Sequence, residues 1–321
     1  MKTLSKVVVA LTAAVIGAGS YGTPAHAIAN GEDVANGQYE FAVKLTDLGI
    51  PTADGGRRDS SCSGGLISPH WVLTAGHCFK DASGKRVSRP VAERTIATVG
   101  RADLKTKAGL SANVVEVRQH GSADVALARL DRPITGIAPL KLNRVKPAGG
   151  QRLRLVGFGL TDGDAKQTSP TLQTGQFRIT NVDTVELGIA GVAPSKSTSA
   201  CPHDSGGPYF SGGPTGPATV IAVVSRGPTC PHTGADTATR VDAVAPWILG
   251  VIKADLQPTA RPTTKAPAAQ KPPGRSATPQ AEQKAANDLP PYLWIAAVPV
   301  VLLIGAAAIW LRKPRRGSHR R

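Results

Sequence analysis

Short apolar segments separated by turn-forming residues dominate the central part of this chain. Within these segments apolar positions are grouped or alternate with polar ones, and Gly, Pro and Asp stand between them. Such a pattern is typical of β-strands, and many short strands in succession favour an all-β sandwich or barrel. The predicted strands are residues 40–45, 66–67, 71–74, 95–99, 114–117, 125–130, 153–158, 176–182, 220–224 and 237–241.

A single helical pattern closes this series of strands. Apolar residues recur at helical spacing over residues 243–252, and Asp242 is the predicted N-cap. Residues 51–61 are rich in Gly and charge and are predicted as a loop, and Ser68-Pro69-His70 is predicted as a turn.

Both ends of the chain carry signals related to membranes. Residues 1–27 combine an early pair of lysines, an apolar stretch and Ala25-His26-Ala27, which predicts a signal peptide cleaved after Ala27. Residues 291–311 are apolar over the length of a bilayer, with Trp294 and Trp310 near the two edges. Because basic residues fill the tail at 312–321, the positive-inside rule places that tail in the cytoplasm and the rest outside.

The segment before this apolar run has a different composition. Residues 256–290 consist largely of Pro, Ala, Thr, Lys and Gln, which predicts a disordered stalk with a reach on the order of 100 Å. Leu289-Pro290 would also suit a cell-wall sorting signal, but Tyr292-Leu293 stands where that signal needs a Thr-Gly pair. The prediction is therefore a membrane-spanning helix.

Charge and cysteine content narrow the class of protein. The formal net charge is +16, but most of the basic excess lies at the two ends of the chain, and the body is only mildly basic. This weakens a nucleic-acid interpretation, which needs a basic face on the folded domain. Export implies an oxidising compartment, so the four cysteines are expected as two disulfides, in one of three pairings.

Three short motifs carry candidate chemistry. CPHDSGGP at residues 201–208 places Ser205 between an aspartate and two glycines on a tight loop. A serine needs a base for its proton and donors for the oxyanion that its attack creates, and Asp-Ser-Gly-Gly alone also occurs in ordinary turns. LTAGHC at residues 73–78 supplies His77, and DVALARL at residues 124–130 supplies Asp124.

In this order and spacing, the three motifs resemble the chymotrypsin/trypsin family of serine endopeptidases, over residues 28–255. The resemblance implies two six-stranded antiparallel β-barrels with a C-terminal helix, and catalysis through an acyl-enzyme without a cofactor. Ser205 would be the nucleophile and His77 the base, while Asp124 would orient His77. Ser225 would hydrogen-bond Asp124.

The resemblance also implies the disulfides and an activation contact. Cys62 would pair with Cys78, and Cys201 with Cys230. Ile28, freed by signal cleavage, would place its ammonium beside Asp204. Two Cys-Pro-His segments mirror each other, which leaves a zinc site as an alternative, although export favours the disulfide.

His203 departs from the family pattern. It stands where glycine is usual, and its backbone amide would be one oxyanion donor, with that of Ser205. A histidine there either keeps the amide in place with its ring lining the cleft, or turns the peptide and impairs catalysis. The second case would make the chain a catalytically weak module that binds peptides.

The predicted substrate pocket departs from the family pattern as well. Ser199 falls at the base position, where trypsin-like members carry aspartate. Asp236 falls on the back wall, where a carboxylate could pair with a substrate Arg or Lys. Arg226 replaces a usual tryptophan, either as a cleft wall or as a solvated surface residue, and Gly227 leaves the pocket mouth open. A preference for apolar side chains is the competing interpretation.

Taken together, these features predict an exported, membrane-tethered serine endopeptidase. The expected partners are protein or peptide substrates and the lipid bilayer, with a monomeric ectodomain, no metal and no nucleic acid. The leader, the low cysteine content and the few aromatic residues resemble secreted actinomycete members of the family.

Overall fold

The computed structural model describes residues 28–257, which fold into two β-barrels followed by a helix. The strands in chain order are β1 (Glu32–Asp33), β2 (Ala42–Pro51), β3 (Arg57–Ser68), β4 (Trp71–Thr74), β5 (Arg94–Val99), β6 (Leu110–Gln119), β7 (Ala126–Leu130), β8 (Lys141–Leu142), β9 (Arg152–Gly157), β10 (Gln173–Val182), β11 (Glu186–Ala193), β12 (Pro208–Ser211), β13 (Thr219–Arg226) and β14 (Asp236–Arg240). The helix α1 is Val241–Ile252, and a short 3-10 turn at Lys253–Leu256 follows it.

The first barrel is built from β2 to β7 and closes on itself. Its antiparallel order is β2-β3-β4-β7-β6-β5, and pairing of β5 with β2 completes the ring. Alternating side chains point inward, as the burial of every second residue through much of β5 and β6 illustrates. The long β2–β3 hairpin contributes Val43, Leu45 and Leu66 to the core.

The second barrel uses six of the remaining strands in the order β9-β10-β11-β14-β13-β12, and β12 pairs back to β9. Strand β1 adds to β10 at its edge, and β8 pairs in parallel with β13. Its interior holds Leu155, Phe177, Ile189 and Tyr209, all fully buried. The expected two-barrel antiparallel fold with a C-terminal helix is therefore confirmed.

Local boundaries differ from the sequence predictions at two places. Residues 51–61 were expected as a loop, but β3 already begins at Arg57 because its exposed half pairs with the end of β2. The helix begins at Val241 with Arg240 as its N-cap, so Asp242 lies inside the first turn rather than at the cap. There it forms an ion pair with Arg240.

Several predicted segments fall outside the described residues. These are the signal peptide at 1–27, nearly all of the stalk at 256–290, the apolar span at 291–311 and the basic tail at 312–321. Between residues 28 and 257, no helix has both the length and the apolar character that crossing a bilayer requires.

Candidate active site

His77 lies on a single 3-10 turn, Gly76–Cys78, directly after β4 of the first barrel. A disulfide between Cys62 and Cys78 links this turn to β3. At Gly76 a Cβ would come within 2.7 Å of the Gln119 amide oxygen, so a larger residue would displace the side chains packed on this turn. The disulfide and the tight approach fix the backbone from which the imidazole projects.

Asp124 precedes β7 and receives several hydrogen bonds. The His77 amide donates to Oδ1 at 2.8 Å, while His77 Nδ1 and the Ser225 hydroxyl each donate to Oδ2 at 2.7 Å. Burial by itself would raise the pKa of Asp124, but the hydrogen bonds and charge of His77 and the bond from Ser225 lower it to about 2. Asp124 is therefore ionised at neutral pH and favours the Nδ1–H tautomer of His77.

Ser205 lies on the loop before β12 of the second barrel, and its Oγ is 2.8 Å from His77 Nε2. Gly206 follows at φ +86°, where a Cβ would collide with Thr74 Oγ1 and the Ser63 carbonyl. Because only glycine fits this position, the loop can turn sharply and present the serine hydroxyl to a base that accepts its proton.

The backbone amides beside the serine are available to a ligand. Within the described part of the chain, neither the His203 nor the Ser205 amide donates a hydrogen bond to another residue. His203 has φ +76°, which is uncommon for a residue with a Cβ. Ser63 donates from its hydroxyl to the His203 carbonyl at 3.1 Å and from its amide to the Ser205 carbonyl at 2.9 Å.

The His203 side chain is held against β3. Its Nδ1 lies 2.9 Å from the Ser61 carbonyl, and because a carbonyl only accepts, this ring nitrogen must carry the proton. The ring therefore lies against β3, and which of the two alternatives for His203 applies stays a prediction.

Asp204 is fully buried behind this loop. The Gly159 amide donates to its Oδ1 at 2.8 Å, and the Cys201 amide donates to its Oδ2 at 3.0 Å. Ile28 is also fully buried, but as an internal residue of this chain its nitrogen is an amide, and no hydrogen bond joins it to Asp204 among residues 28–257.

A cavity of about 370 Å³ opens beside Ser205. A second disulfide, Cys201–Cys230, lies in its wall, so both predicted pairings are present and no thiolate is left there for zinc. The cavity is lined by Gly163, Ala200, Cys201, Pro202, Ser205, Val224, Ser225, Arg226, Gly227, Pro228, Thr229, Cys230 and Asp236.

Asp236 is the carboxylate of this cavity, and it is only 2% exposed. The Ala200 amide and the Tyr209 hydroxyl each donate to Oδ2 at 3.3 Å, and His232 Nε2 lies 3.1 Å from Oδ1. Burial raises the pKa of Asp236, while His232 and these hydrogen bonds act to lower it. Gly227 lies over the carboxylate, and a Cβ there would collide with Asp236 Oδ1.

Ser199, expected at the base of the pocket, is absent from the cavity lining. It is 1% exposed, its backbone pairs with Ala29, and its hydroxyl accepts a hydrogen bond from the His232 amide. These contacts hold Ser199 behind the lining residues of the cavity, and its role at the base of the pocket stays a prediction.

Arg226 lies at the junction of this pocket and a larger open cavity of about 680 Å³. Its guanidinium forms a two-point ion pair with Glu186 at 2.8 and 2.9 Å, and its side chain is 61% exposed. Arg226 is therefore a solvated arginine that also lines the wall of both cavities. His77 and Asp124 line the same larger cavity.

The two six-stranded barrels bring Ser205, His77 and Asp124 into one hydrogen-bonded series. This combination of fold and site defines a trypsin-like serine protease domain. A protein-family model described as Trypsin matches residues 28–248, more than half of the chain, and the chain therefore belongs to the trypsin family.

Known proteins with similar sequences agree with this assignment. The suppressor of tumorigenicity 14 protein homolog of Bos taurus is 28% identical over 234 residues, which is 63% of this chain but only 25% of that protein. Glucanase inhibitor protein 2 of Phytophthora sojae is 29% identical over 264 residues, or 74% and 84% of the two chains. The snake venom serine protease Haly-2 of Gloydius brevicauda is 26% identical over 166 residues, or 47% and 63%.

Sequence reasoning missed four residues that surround the site. Ser63, Tyr209 and His232 touch the serine loop or Asp236, and Lys44 lies buried near Asp204. Lys44 left a signal in the sequence as a charged residue inside the apolar run of a predicted strand, and His232 belongs to the second Cys-Pro-His segment, four residues before Asp236. Ser63 and Tyr209 are polar residues whose partners are distant along the chain.

Proposed function

We propose that this chain is a serine endopeptidase that cleaves protein or peptide substrates through an acyl-enzyme on Ser205. The observation that carries the proposal is the continuous series of hydrogen bonds from Ser205 Oγ through His77 to Asp124, beside two unengaged backbone amides. No cofactor is needed for this chemistry.

In the proposed reaction, Ser205 Oγ attacks the scissile carbonyl as His77 Nε2 takes its proton. The amides of His203 and Ser205 receive the oxyanion, and His77 returns the proton to the leaving amine. A water molecule, deprotonated by His77, then attacks the acyl-enzyme and releases the acid product. Asp124 stabilises the imidazolium at each step, and Ser225 keeps the Asp124 carboxylate in position.

Asp236 supports a preference for substrates with Arg or Lys on the acyl side of the scissile bond. It is a buried carboxylate that faces the cavity beside Ser205, and within the described residues its hydrogen-bonding neighbours include no Lys or Arg. A basic substrate side chain would bring a permanent positive charge to the Asp236 carboxylate, whereas His232 is charged only when it is protonated. An apolar side chain would bring no charge to this buried carboxylate, which disfavours the competing specificity.

Removal of residues 1–27 would convert the Ile28 amide into an ammonium. A free Ile28 amino group beside the buried Asp204 would stabilise the serine loop, as the family resemblance implies. On this proposal signal cleavage itself completes the enzyme. Full activity in protein whose mature amino terminus is not Ile28 would contradict it.

The terminal sequences support an extracellular enzyme on a tether. Residues 256–290 would serve as the stalk, residues 291–311 as the membrane span and residues 312–321 as the cytoplasmic tail. The domain at 28–255 would then lie outside the cell as a monomer, with no role for nucleic acid. As part of this proposal, the chain is a relative of the proteases that actinomycetes secrete.

A second candidate function is a peptide-binding module with impaired catalysis. Two observations favour it: His203 holds an unusual positive φ at an oxyanion donor, and one relative is named a glucanase inhibitor protein. In this case the same cleft would bind a peptide or protein without turnover.

Labelling and turnover distinguish the two candidates. The purified chain beginning at Ile28 and its Ser205→Ala variant are treated with a fluorophosphonate and assayed on peptides with Arg, Phe or Ala before the scissile bond. We expect labelling and hydrolysis by the parent chain only. If the parent chain binds peptides but is neither labelled nor able to hydrolyse them, the proposed function would be the peptide-binding module and not the endopeptidase.

A further inference from the structure

A buried lysine stands out on β2 of the first barrel. Lys44 is only 9% exposed, between the fully buried Val43 and Leu45. Its Nζ donates to Thr168 Oγ1 at 2.8 Å and lies 5.8 Å from the centre of the Phe158 ring. Within residues 28–257, no carboxylate is within 4.0 Å of this ammonium, so its charge is not neutralised by direct contact. Burying an ammonium in this way is costly unless an opposite charge is near.

That opposite charge is Asp204. Its carboxylate is fully buried and held by backbone amides, and the negative charge of Asp236 is close enough to oppose its ionisation. Burial raises the pKa of Asp204 well above its usual range, and Lys44 acts to lower it. Burial lowers the pKa of Lys44, and Asp204 acts to raise it. Each group therefore stabilises the charged form of the other.

Lys44 also contacts the segments that surround the Asp204 carboxylate. Its ammonium faces Phe158, and the next residue, Gly159, donates its amide to Asp204. Its hydrogen-bond partner Thr168 precedes Ser169, whose amide donates to the Gly159 carbonyl at 3.0 Å. One side chain from the first barrel thus contacts the segment whose Gly159 amide holds Asp204, and the segment that is hydrogen-bonded to Gly159.

We infer that Lys44 is a positioning residue that supplies Asp204 with an internal positive charge and so supports the serine loop before Ile28 becomes an amino terminus. The inference rests on the proposed function, and it adds a second source of charge to the Ile28 ammonium. It follows that the chain retains part of its activity when residues still precede Ile28.

The test combines two forms of the chain with two residues at position 44. Residues 28–321 are produced in mild detergent behind a removable tag fused to Ile28, and each protein is assayed before and after tag removal. With the tag in place, Lys44 alone compensates Asp204, so Lys44→Met should lower kcat/KM at least about fivefold more than in the tag-free form. The loss should fall on kcat and on the rate of fluorophosphonate labelling, since both depend on the oxyanion donors.

Matched variants separate charge from packing. Lys44→Arg keeps the charge and should restore most of the tagged activity, whereas the exposed Lys146→Met should change neither form. Thermal unfolding of the same proteins needs no catalysis, and Lys44→Met should lower Tm more in the tagged form. Equal effects of Lys44→Met in both forms, by rate and by Tm, would overturn the inference, as would a tagged parent with no activity beside an active tag-free one. If no form is labelled, the result would count against the proposed enzymatic function. The difference in Tm between the tagged and tag-free forms would then decide the role of Lys44.

Discussion

Asp236→Asn should reverse the substrate preference of this protease domain while leaving the fold intact. The substitution keeps the size of the side chain and removes its negative charge. Asp236 is 2% exposed and lines the wall of the 370 Å³ cavity. Removing one partner of a buried charged pair costs about 2–5 kcal/mol. A central value of about 3 kcal/mol corresponds to roughly a 150-fold loss, at 1.36 kcal/mol per factor of ten.

The assay compares kcat/KM for two peptides that differ only in Arg or Leu before the scissile bond. For Asp236→Asn we expect kcat/KM to fall roughly 150-fold for the Arg peptide and to change less than about threefold for the Leu peptide. Because burial raises the pKa of Asp236, the Arg preference of the parent should also weaken as the pH falls.

Ser199→Ala is the matched control, because Ser199 lies behind the wall and does not line the cavity. It should leave the ratio of the two peptides unchanged. An Arg preference that survives in Asp236→Asn, or that disappears in Ser199→Ala, would refute this account of the pocket. An equal loss on both peptides would show damage to the catalytic loop rather than to specificity.

Three further predictions test the site and the first barrel. His203→Gly should keep kcat/KM within about threefold, since both amides stay in place while the positive φ becomes unstrained. Ser225→Ala should lower kcat about tenfold with KM unchanged, because Asp124 loses a charged hydrogen bond of 2.7 Å. Asp47→Asn should raise the free energy of unfolding in urea at pH 8 by up to about 3 kcal/mol, since burial raises the pKa of Asp47 from 3.8 to about 6.

The pH dependence of the last prediction has a definite sign. A carboxyl whose pKa is raised on folding favours the folded state when protonated, so this contribution is complete below pH 3.8 and is lost as the pH rises through about 6. The advantage of Asp47→Asn should therefore shrink in acid and vanish near pH 4. A gain that is independent of pH would contradict it. A loss of kcat/KM of more than tenfold in His203→Gly would contradict the prediction for His203. A change in KM with kcat unchanged in Ser225→Ala would contradict the prediction for Ser225.

Much of the fold could be predicted because the pattern of apolar and turn-forming residues within each core strand indicates that strand. Trp71–Thr74 was predicted with the bounds that the structure shows, since this run is apolar and is bounded by turns. Strands β11 and β12 were missed, because glycines interrupt β11 and β12 is a short segment that begins with proline. They become strands only through pairing with β10, β14, β9 and β13, which no local pattern reveals.

The site divides in the same way. His77, Asp124 and Ser205 were found because each lies in a short motif whose glycines and neighbours mark its backbone. The surroundings of Asp236 were not, since Tyr209 reaches it from another strand, and the contact of His232 four residues earlier depends on how the loop before β14 folds. The contacts of Ser199 could not be predicted for a related reason: the sequence gives its distance from Cys201, but not its contacts with Ala29 and His232.

The division of the triad between the barrels has a consequence for how this protein is made. His77 and Asp124 come from the first barrel and Ser205 from the second, so neither barrel alone holds a base beside a nucleophile. If the chain is the proposed endopeptidase, a molecule in which only one barrel has folded would have no proteolytic activity. Such a partly folded molecule could not cleave other copies of the chain, because the site is complete only when both barrels are folded and in contact.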